Sequence, residues 1–193
     1  MPTPEAVERH PHLGEACPEG WVRVDFHSHT MWSGDSTTTP EELVECVGAS
    51  GIDVLCVTDH NAIKGAEALV EQLPCRVVIG EELKTHAGEI IGLFLNERIP
   101  QGIRPEEAAQ NIRDQGGIVY IPHPFDPLRN NLREDVLDQL VEASLVDGIE
   151  VINGKTSLQS LNRRAYTYAQ ENDLAIGAGS DAHVAEAIGA AYM

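Results

Sequence analysis

Residues 22–29, VRVDFHSH, join an apolar strand pattern to two histidines at its end. The same layout recurs in VLCVTDH (54–60), RVVIGEE (76–82), IVYIPHP (118–124), IEVIN (149–153) and AIGAGSDAH (175–183). Parallel strands that end on one face of a barrel point their last side chains into a common cavity. Six repeats of the layout therefore indicate a site built on one rim of a sheet or barrel.

The chain has 193 residues, which fits a single domain with one substantial core. Residues 1–20 are rich in Pro, Glu and Gly and are expected to form an irregular N-terminal lead-in. Residues 21–193 are expected to form the functional domain.

Strand and helix patterns alternate through this domain. The predicted strands are Val22–Phe26, Asp53–Thr58, Arg76–Gly80, Glu89–Leu95, Gly117–Ile121, Gly148–Ile152 and Leu174–Ala178. Most are unbroken apolar runs, which are typical of parallel strands buried on both faces. Helices are predicted to start at Pro40 and Pro105, and further helical patterns cover 134–143 and 158–172.

Strand–helix alternation predicts an α/β sheet that is either open or closed into a barrel. An open sheet concentrates its site at one switch point, whereas ligands at nearly every strand end favour a barrel. We therefore expect a distorted (β/α)7 barrel with a metal site at the C-terminal ends of the strands. The run Glu89–Leu95 follows its predecessor too closely for a helix and is expected to pair with it as a hairpin.

Composition limits the partners. With 13 basic and 31 acidic residues the formal charge is -18, which argues against binding an extended duplex. A small phosphorylated substrate or a short nucleic acid stays open, because bound dications can make a pocket locally positive. Four scattered cysteines without a CxxC pair favour a reducing cytoplasm, and no apolar stretch is long enough to span a bilayer.

The strand-end side chains have the chemistry of metal ligands. His27 and His29 are two residues apart, so in an extended segment both imidazoles face one side. The further candidates are His60, Glu81, His123, Asp181 and His183, with Asn153 at the end of the fifth run. Such a mixed histidine and carboxylate set suits Zn, Mn or Fe. Asp35 lies in a Ser-Gly-Asp-Ser stretch, and by its residue types alone it is a turn residue.

In chain order, HSHT, SGDS, TDHN, GEE, IPHP and SDAH resemble the motifs of the PHP (polymerase and histidinol phosphatase) family of metal-dependent phosphoesterases. The resemblance implies a seven-stranded barrel with two or three divalent ions at its mouth. It implies that His27, His29, Glu81 and Asp181 hold one ion, that Glu81 bridges to a second ion on His123, and that Asp35, His60 and His183 hold a third. Asp35 becomes a predicted ligand on this ground alone.

Two departures from the family pattern stand out. Family members often supply a His or Cys where this chain has Asn153, which is expected to be a weak ligand at most. Only ten residues follow His183, so the domain is expected to lack a final C-terminal helix.

The predicted activity is hydrolysis of a phosphate ester by a metal-activated water. Arg129 and Lys155 are candidates for binding the substrate phosphate, although either can also be a solvated loop charge. Two alternatives stay open. One is an amidohydrolase-type barrel, whose metals are commonly bridged by a carbamylated lysine. The other is a non-catalytic PHP module with a structural or regulatory metal site.

Overall fold

The computed structural model describes residues 17–193, so most of the predicted N-terminal lead-in (residues 1–16) lies outside it. Seven strands form one sheet in chain order. They are β1 (Val24–Ser28), β2 (Val54–Val57), β3 (Arg76–Thr85), β4 (Gly88–Leu93), β5 (Ile118–Ile121), β6 (Gly148–Asn153) and β7 (Ala175–Gly179). The helices are α1 (Pro40–Ser50), α2 (Lys64–Leu69), α3 (Pro105–Asp114), α4 (Glu134–Glu142) and α5 (Gln159–Glu171). The short helix α2 was not predicted from the sequence.

The sheet curls into a nearly closed barrel, as predicted. All neighbouring strands are parallel except around β4, which runs antiparallel to both β3 and β5. Between β7 and β1 the closure is a bridge of Ser28 with Ala182, with backbone hydrogen bonds from Asp181 N to His27 O (2.7 Å) and from His29 N to Ala182 O (2.9 Å). The predicted hairpin of β3 with β4 is confirmed.

Several strands extend further than the sequence predicted. β1 reaches Ser28 and thus includes His27, while β3 continues to Thr85, five residues past its predicted end at Gly80. The C-terminal ends of β1, β2, β5, β6 and β7 open on one side of the barrel, which we call the mouth. Because β4 runs the opposite way, its first residues lie at this same side.

The core has two layers. Apolar residues from α1 and α2 pack on one part of the outer barrel wall, and those from α3, α4 and α5 pack on the rest. A third cluster, built on Cys56, Val78, Ile91, Leu93 and Tyr120, contains strand residues only and therefore fills the barrel interior. After the last strand, Ala185–Ala187 form a single 3-10 turn, and Ile188 packs with the α1 layer.

None of the helices among residues 17–193 has the length and hydropathy that crossing a bilayer requires. The cytoplasmic location inferred from the cysteines stays a prediction.

Candidate metal centre

The mouth of the barrel gathers seven of the eight predicted ligands. Together with Glu82 and Glu89, which were not predicted, they form overlapping groups whose nitrogen and oxygen atoms lie within 4.8 Å of one another: His29, Asp35, His60 and His183; His27, His29 and Glu82; His27, His123 and Asp181; and His60, Glu82 and Glu89. The eighth predicted ligand, Glu81, does not belong to any of these groups.

Glu82 is the carboxylate at the centre of the cluster, and it is only 1% exposed. Its Oε1 lies 2.9 Å from His123 Nε2. Its Oε2 lies 3.3 Å from His27 Nε2, and 3.2 Å from both His29 Nε2 and His60 Nδ1. One carboxylate thus contacts four imidazoles. Glu82 therefore occupies the central position that was predicted for Glu81.

Glu81 faces the opposite side of β3, which corrects the prediction. Its Oε2 accepts a hydrogen bond from Ile99 N (2.9 Å), and its Oε1 lies 3.8 Å from Arg98 Nε. The physical reason is strand alternation: Val78 points into the barrel interior, so Glu82, four residues on, points the same way. Burial raises the pKa of Glu81 to about 7, with the Ile99 amide and Arg98 opposing the shift.

Charge within the cluster changes the titration of its members. Burial alone would lower the pKa of His27, but Glu82, Glu150 and Asp181 outweigh it and raise that pKa well above the usual range. Burial lowers the pKa of His29 to about 4. Burial would raise the pKa of Glu82, yet His27 and the hydrogen-bonding imidazoles hold it well below its usual range. Burial would likewise raise the pKa of Asp181, but His27 and His29 lower it, so more than one carboxylate of the cluster carries negative charge.

Backbone strain accompanies the site. His123 and Asp181 have φ angles of +30° and +51°, in the left-handed region that residues with side chains rarely adopt. His123 also precedes Pro124, which favours extended backbone at the preceding residue. Such conformations cost of order 1–3 kcal/mol each and persist where the surroundings impose them, most often at functional sites.

Two aspartates next to the ligands brace the backbone. Asp25 Oδ1 accepts hydrogen bonds from His27 N (3.2 Å) and Ser180 N (2.9 Å), tying β1 to the segment after β7. Asp59 accepts from Thr30 N (2.6 Å) and Thr30 Oγ1 (2.7 Å). Neither carboxylate belongs to the metal-type groups.

Glu150 was missed by the sequence reasoning. It is buried in β6, with Oε1 at 3.2 Å from His27 Nδ1 and Oε2 accepting from His123 N at 2.6 Å. A carboxylate on Nδ1 leaves Nε2 of His27 to face the cluster, as in carboxylate–histidine–metal arrangements. The available signal was a glutamate within an apolar strand, since a charge is buried there only when it has partners.

Asn153 lies at the edge of the site with its amide committed elsewhere. Its Nδ2 donates to Glu150 Oε2 (2.9 Å) and lies 3.3 Å from Asp181 Oδ2, while its Oδ1 accepts from Lys155 N (2.9 Å). The same side chain therefore links β6 to the carboxylate of Asp181.

Both predicted phosphate-binding residues line the cavity above the cluster, which has a volume of about 180 Å³. Lys155 Nζ lies 2.9 Å from His183 Nδ1 and 3.5 Å from Asp181 Oδ1. Arg129 Nε lies 3.9 Å from Asp181 Oδ2. Both cations therefore stand at the mouth rather than in solvated loops.

The donor set fits divalent cations. Nε2 atoms of His27 and His29 are 3.0 Å apart, and both are within 3.3 Å of Glu82 Oε2. Within the described part of the chain, no hydrogen-bond partner reaches the buried Nδ1 of His123. Converging imidazole nitrogens and carboxylate oxygens are the ligands that Zn, Mn and Fe take.

The barrel has the fold that solved PHP-like phosphoesterases and an amidohydrolase share. A family model described as PHP-associated matches residues 159–193. An uncharacterized protein of Methanocaldococcus jannaschii is 39% identical over 145 residues, spanning 68% of this chain and 82% of that protein. An error-prone DNA polymerase of Mycolicibacterium paratuberculosis is 32% identical over 111 residues, 51% of this chain and 10% of the polymerase.

Solved structures agree in fold. A two-domain Bacteroides vulgatus protein containing a predicted PHP-like metal-dependent phosphoesterase has a TM-score of 0.69 at 21% identity, over 85% of this chain and 52% of that one. A Bifidobacterium adolescentis protein assigned as a metal-dependent phosphoesterase has a TM-score of 0.68 at 19% identity, over 83% and 87%. An amidohydrolase of Chromobacterium violaceum with bound sulfate has a TM-score of 0.69 at 18% identity, over 87% and 90%. The chain belongs to the PHP family.

Proposed function

We propose that this protein hydrolyses a phosphate ester of a small substrate, using two or three divalent ions held at the mouth of the barrel. One observation carries the proposal: five imidazoles and the carboxylates of Asp35, Glu82 and Asp181 converge on one cavity that also contains Arg129 and Lys155. The cluster suits cations, and the two basic side chains suit an anion that those cations also attract.

The ligand groups divide among the ions as follows. His27, His29, Glu82 and Asp181 would hold the first ion, Glu82 would bridge to a second near His123, and Asp35, His60 and His183 would hold the third. When bound, such ions supply an activated water and stabilise charge on the phosphoryl oxygens, and Zn, Mn and Fe are all compatible with the donors.

Arg129 and Lys155 would bind and orient the phosphate. Both form ion pairs with Asp181: Arg129 Nε lies 3.9 Å from its Oδ2, and Lys155 Nζ lies 3.5 Å from its Oδ1. A carboxylate that shares its charge with a metal attracts these cations less, which frees them for a phosphoryl oxygen. The guanidinium can donate two parallel hydrogen bonds, whereas the ammonium acts as a point charge.

Glu150 would act through His27. Its Oε1 accepts from Nδ1 of the imidazole, which keeps the Nε2 lone pair directed at the cluster. Its second oxygen holds the backbone of His123, so one buried carboxylate positions two of the proposed ligands.

The cavity favours a small or short-chain substrate. Leu128 lines it beside Arg129 and is 81% exposed, which offers an apolar surface next to the phosphate-binding side chains. A phosphorylated metabolite, a nucleotide or the end of a short oligonucleotide would fit such a mixed lining. The similarity to a segment of a DNA polymerase keeps nucleic acid among the candidates.

The test is a metal-reconstituted assay on a phosphomonoester, a phosphodiester and a short oligonucleotide, with Zn, Mn and Fe loaded separately. We expect hydrolysis of at least one of them, loss of turnover and metal together in Asp181→Asn or His29→Ala, and a raised KM with retained metal in Lys155→Met and Arg129→Met. If the double variant with Asp181→Asn and His29→Ala lacks metal but keeps full activity, the proposal is wrong.

Two other outcomes identify the alternatives. Complete metal loading without hydrolysis of any ester would favour a non-catalytic module. Hydrolysis of a cyclic amide but of no phosphate ester would favour the amidohydrolase class, to which the Chromobacterium violaceum protein is assigned. Against that class, a glutamate occupies the central position between the imidazoles, where amidohydrolases commonly have a modified lysine.

A further inference from the structure

Glu89 is a second carboxylate at the mouth that neither the motifs nor the proposed ligand sets include. It follows Gly88 at the start of β4, and its register partner on β3 is Lys84. Because β4 runs antiparallel, the beginning of this strand lies where the other strands end. The hairpin is seated firmly, since Glu89 N donates to Asn130 O at 2.9 Å and Thr85 Oγ1 donates to Gly88 O.

The carboxylate of Glu89 faces the cluster and is close to two of its imidazoles. Oε1 lies 3.9 Å from His60 Nδ1, and Oε2 lies 3.8 Å from His123 Nε2. These separations are too long for hydrogen bonds. They match ligand atoms that share one cation, which stand about 3–4 Å apart when each bond is about 2.0–2.2 Å.

Glu89 is buried without a basic partner. The residue is 6% exposed, and within residues 17–193 its ion pairs are those with the two histidines. A second carboxylate, Glu82, approaches His60 Nδ1 to 3.2 Å, so two acidic side chains converge on one imidazole. Burying two carboxylates side by side is costly unless a cation lies between them.

Asn153 does not supply a ligand in the way that a histidine or cysteine would there. Its Nδ2 donates to Glu150 and its Oδ1 accepts from the amide of Lys155, which leaves one lone pair of a weakly donating oxygen for a cation. Compared with a histidine or cysteine there, the cluster has a weaker donor on the β6 side and one carboxylate more on the β4 side.

We propose that Glu89 is a metal ligand, which binds the second divalent cation together with Glu82 and His123 and offsets the weak donor at Asn153. The resulting position has two carboxylates and one imidazole. Oxygen-rich positions favour Mn over Zn relative to an all-imidazole site. The inference requires that the mouth binds cations, as proposed above, and is independent of which ester is hydrolysed.

The experiment titrates Mn²⁺ into metal-free full-length protein and measures bound equivalents and affinities. Glu89→Gln keeps the shape and removes the charge, and Glu81→Gln is the matched control, a buried glutamate on the same hairpin that faces away. We expect Glu89→Gln to lose one equivalent, or to weaken one at least about 10-fold, while Glu81→Gln matches the wild type. Unchanged stoichiometry and affinity in a folded Glu89→Gln protein would overturn the proposal.

A second measurement does not depend on the variant folding. Anomalous diffraction from Mn-soaked crystals of the wild type should show an ion within bonding distance of the Glu89 carboxylate, and ions at the mouth without one there would refute the assignment. The two proposals fail separately. Loss of an equivalent without any ester hydrolysis would reject the activity alone, whereas hydrolysis with no ion at Glu89 would reject the ligand alone.

Discussion

Glu81 and Glu82 are adjacent, chemically identical and both buried. Replacing each by glutamine therefore shows how metal binding depends on the side of β3 that the carboxylate faces. In Glu82→Gln the central carboxylate loses its charge while its four imidazole neighbours stay at 2.9–3.3 Å. In Glu81→Gln the change falls on a side chain bonded to Ile99 N, outside the cluster.

The expected magnitude follows from the role of each carboxylate. Removing a group that merely orients a ligand typically weakens metal binding 10–100-fold. Glu82 contacts four imidazoles directly, so its loss should weaken binding by at least about 100-fold, which corresponds to about 2.7 kcal/mol. Glu81→Gln should change metal affinity less than about 3-fold.

The assay is competition between apo-protein and a chromophoric chelator for Zn²⁺, with circular dichroism and size-exclusion chromatography confirming that both variants are folded. Equal weakening by the two variants, or weakening by Glu81→Gln alone, would refute the assignment of Glu82 to the cluster.

Two further predictions concern stability. The pKa of Glu81 is about 7 in the folded protein, against an ordinary value of 4.5. Between these two pH values the folded state therefore binds more protons than the unfolded state. The protonated Glu81 contributes its full share of stability below pH 4.5, and this share is lost as pH rises through 7. Denaturant unfolding of the metal-free protein should therefore show a decline of at most about 3 kcal/mol across that window that is absent in Glu81→Gln, and parallel pH profiles would contradict the burial argument. Gly179→Ala places a Cβ in overlap with His27 Cβ and 2.5 Å from Glu150 Oε1, so it should cost about 1–3 kcal/mol or more and weaken metal binding. Its control, Gly48→Ala in α1, meets only Pro74 Cγ at 3.7 Å and should be neutral or slightly stabilising; equal melting temperatures of the two variants would count against a tight contact at His27.

The periodicity of apolar residues and the local chemistry of caps and turns were enough to predict much of the fold. Apolar runs of β-branched residues predict strands because they suit a sheet buried on both faces. The Thr39 cap and the proline after it start α1 as predicted, with Thr39 Oγ1 accepting from Glu42 N and the Glu42 side chain accepting from Thr39 N. The short spacing before Glu89 likewise predicted the hairpin. The helix α2 was not predicted because its six residues span fewer than two turns, which is too short for a helical period to be visible in the sequence.

The sequence by itself determined that imidazoles and carboxylates follow the strands, since those residue types and their order are local facts. Which carboxylate of the Glu81–Glu82 pair faces the mouth was decided only by the tertiary structure. In RVVIGEE both faces of the strand are apolar, so no polar alternation marks the inner one, and a shift of one residue exchanges the two faces. The closing of the barrel sets that register, and it also brings Glu89 and Glu150 from distant strands to the imidazoles of β1, β2 and β5.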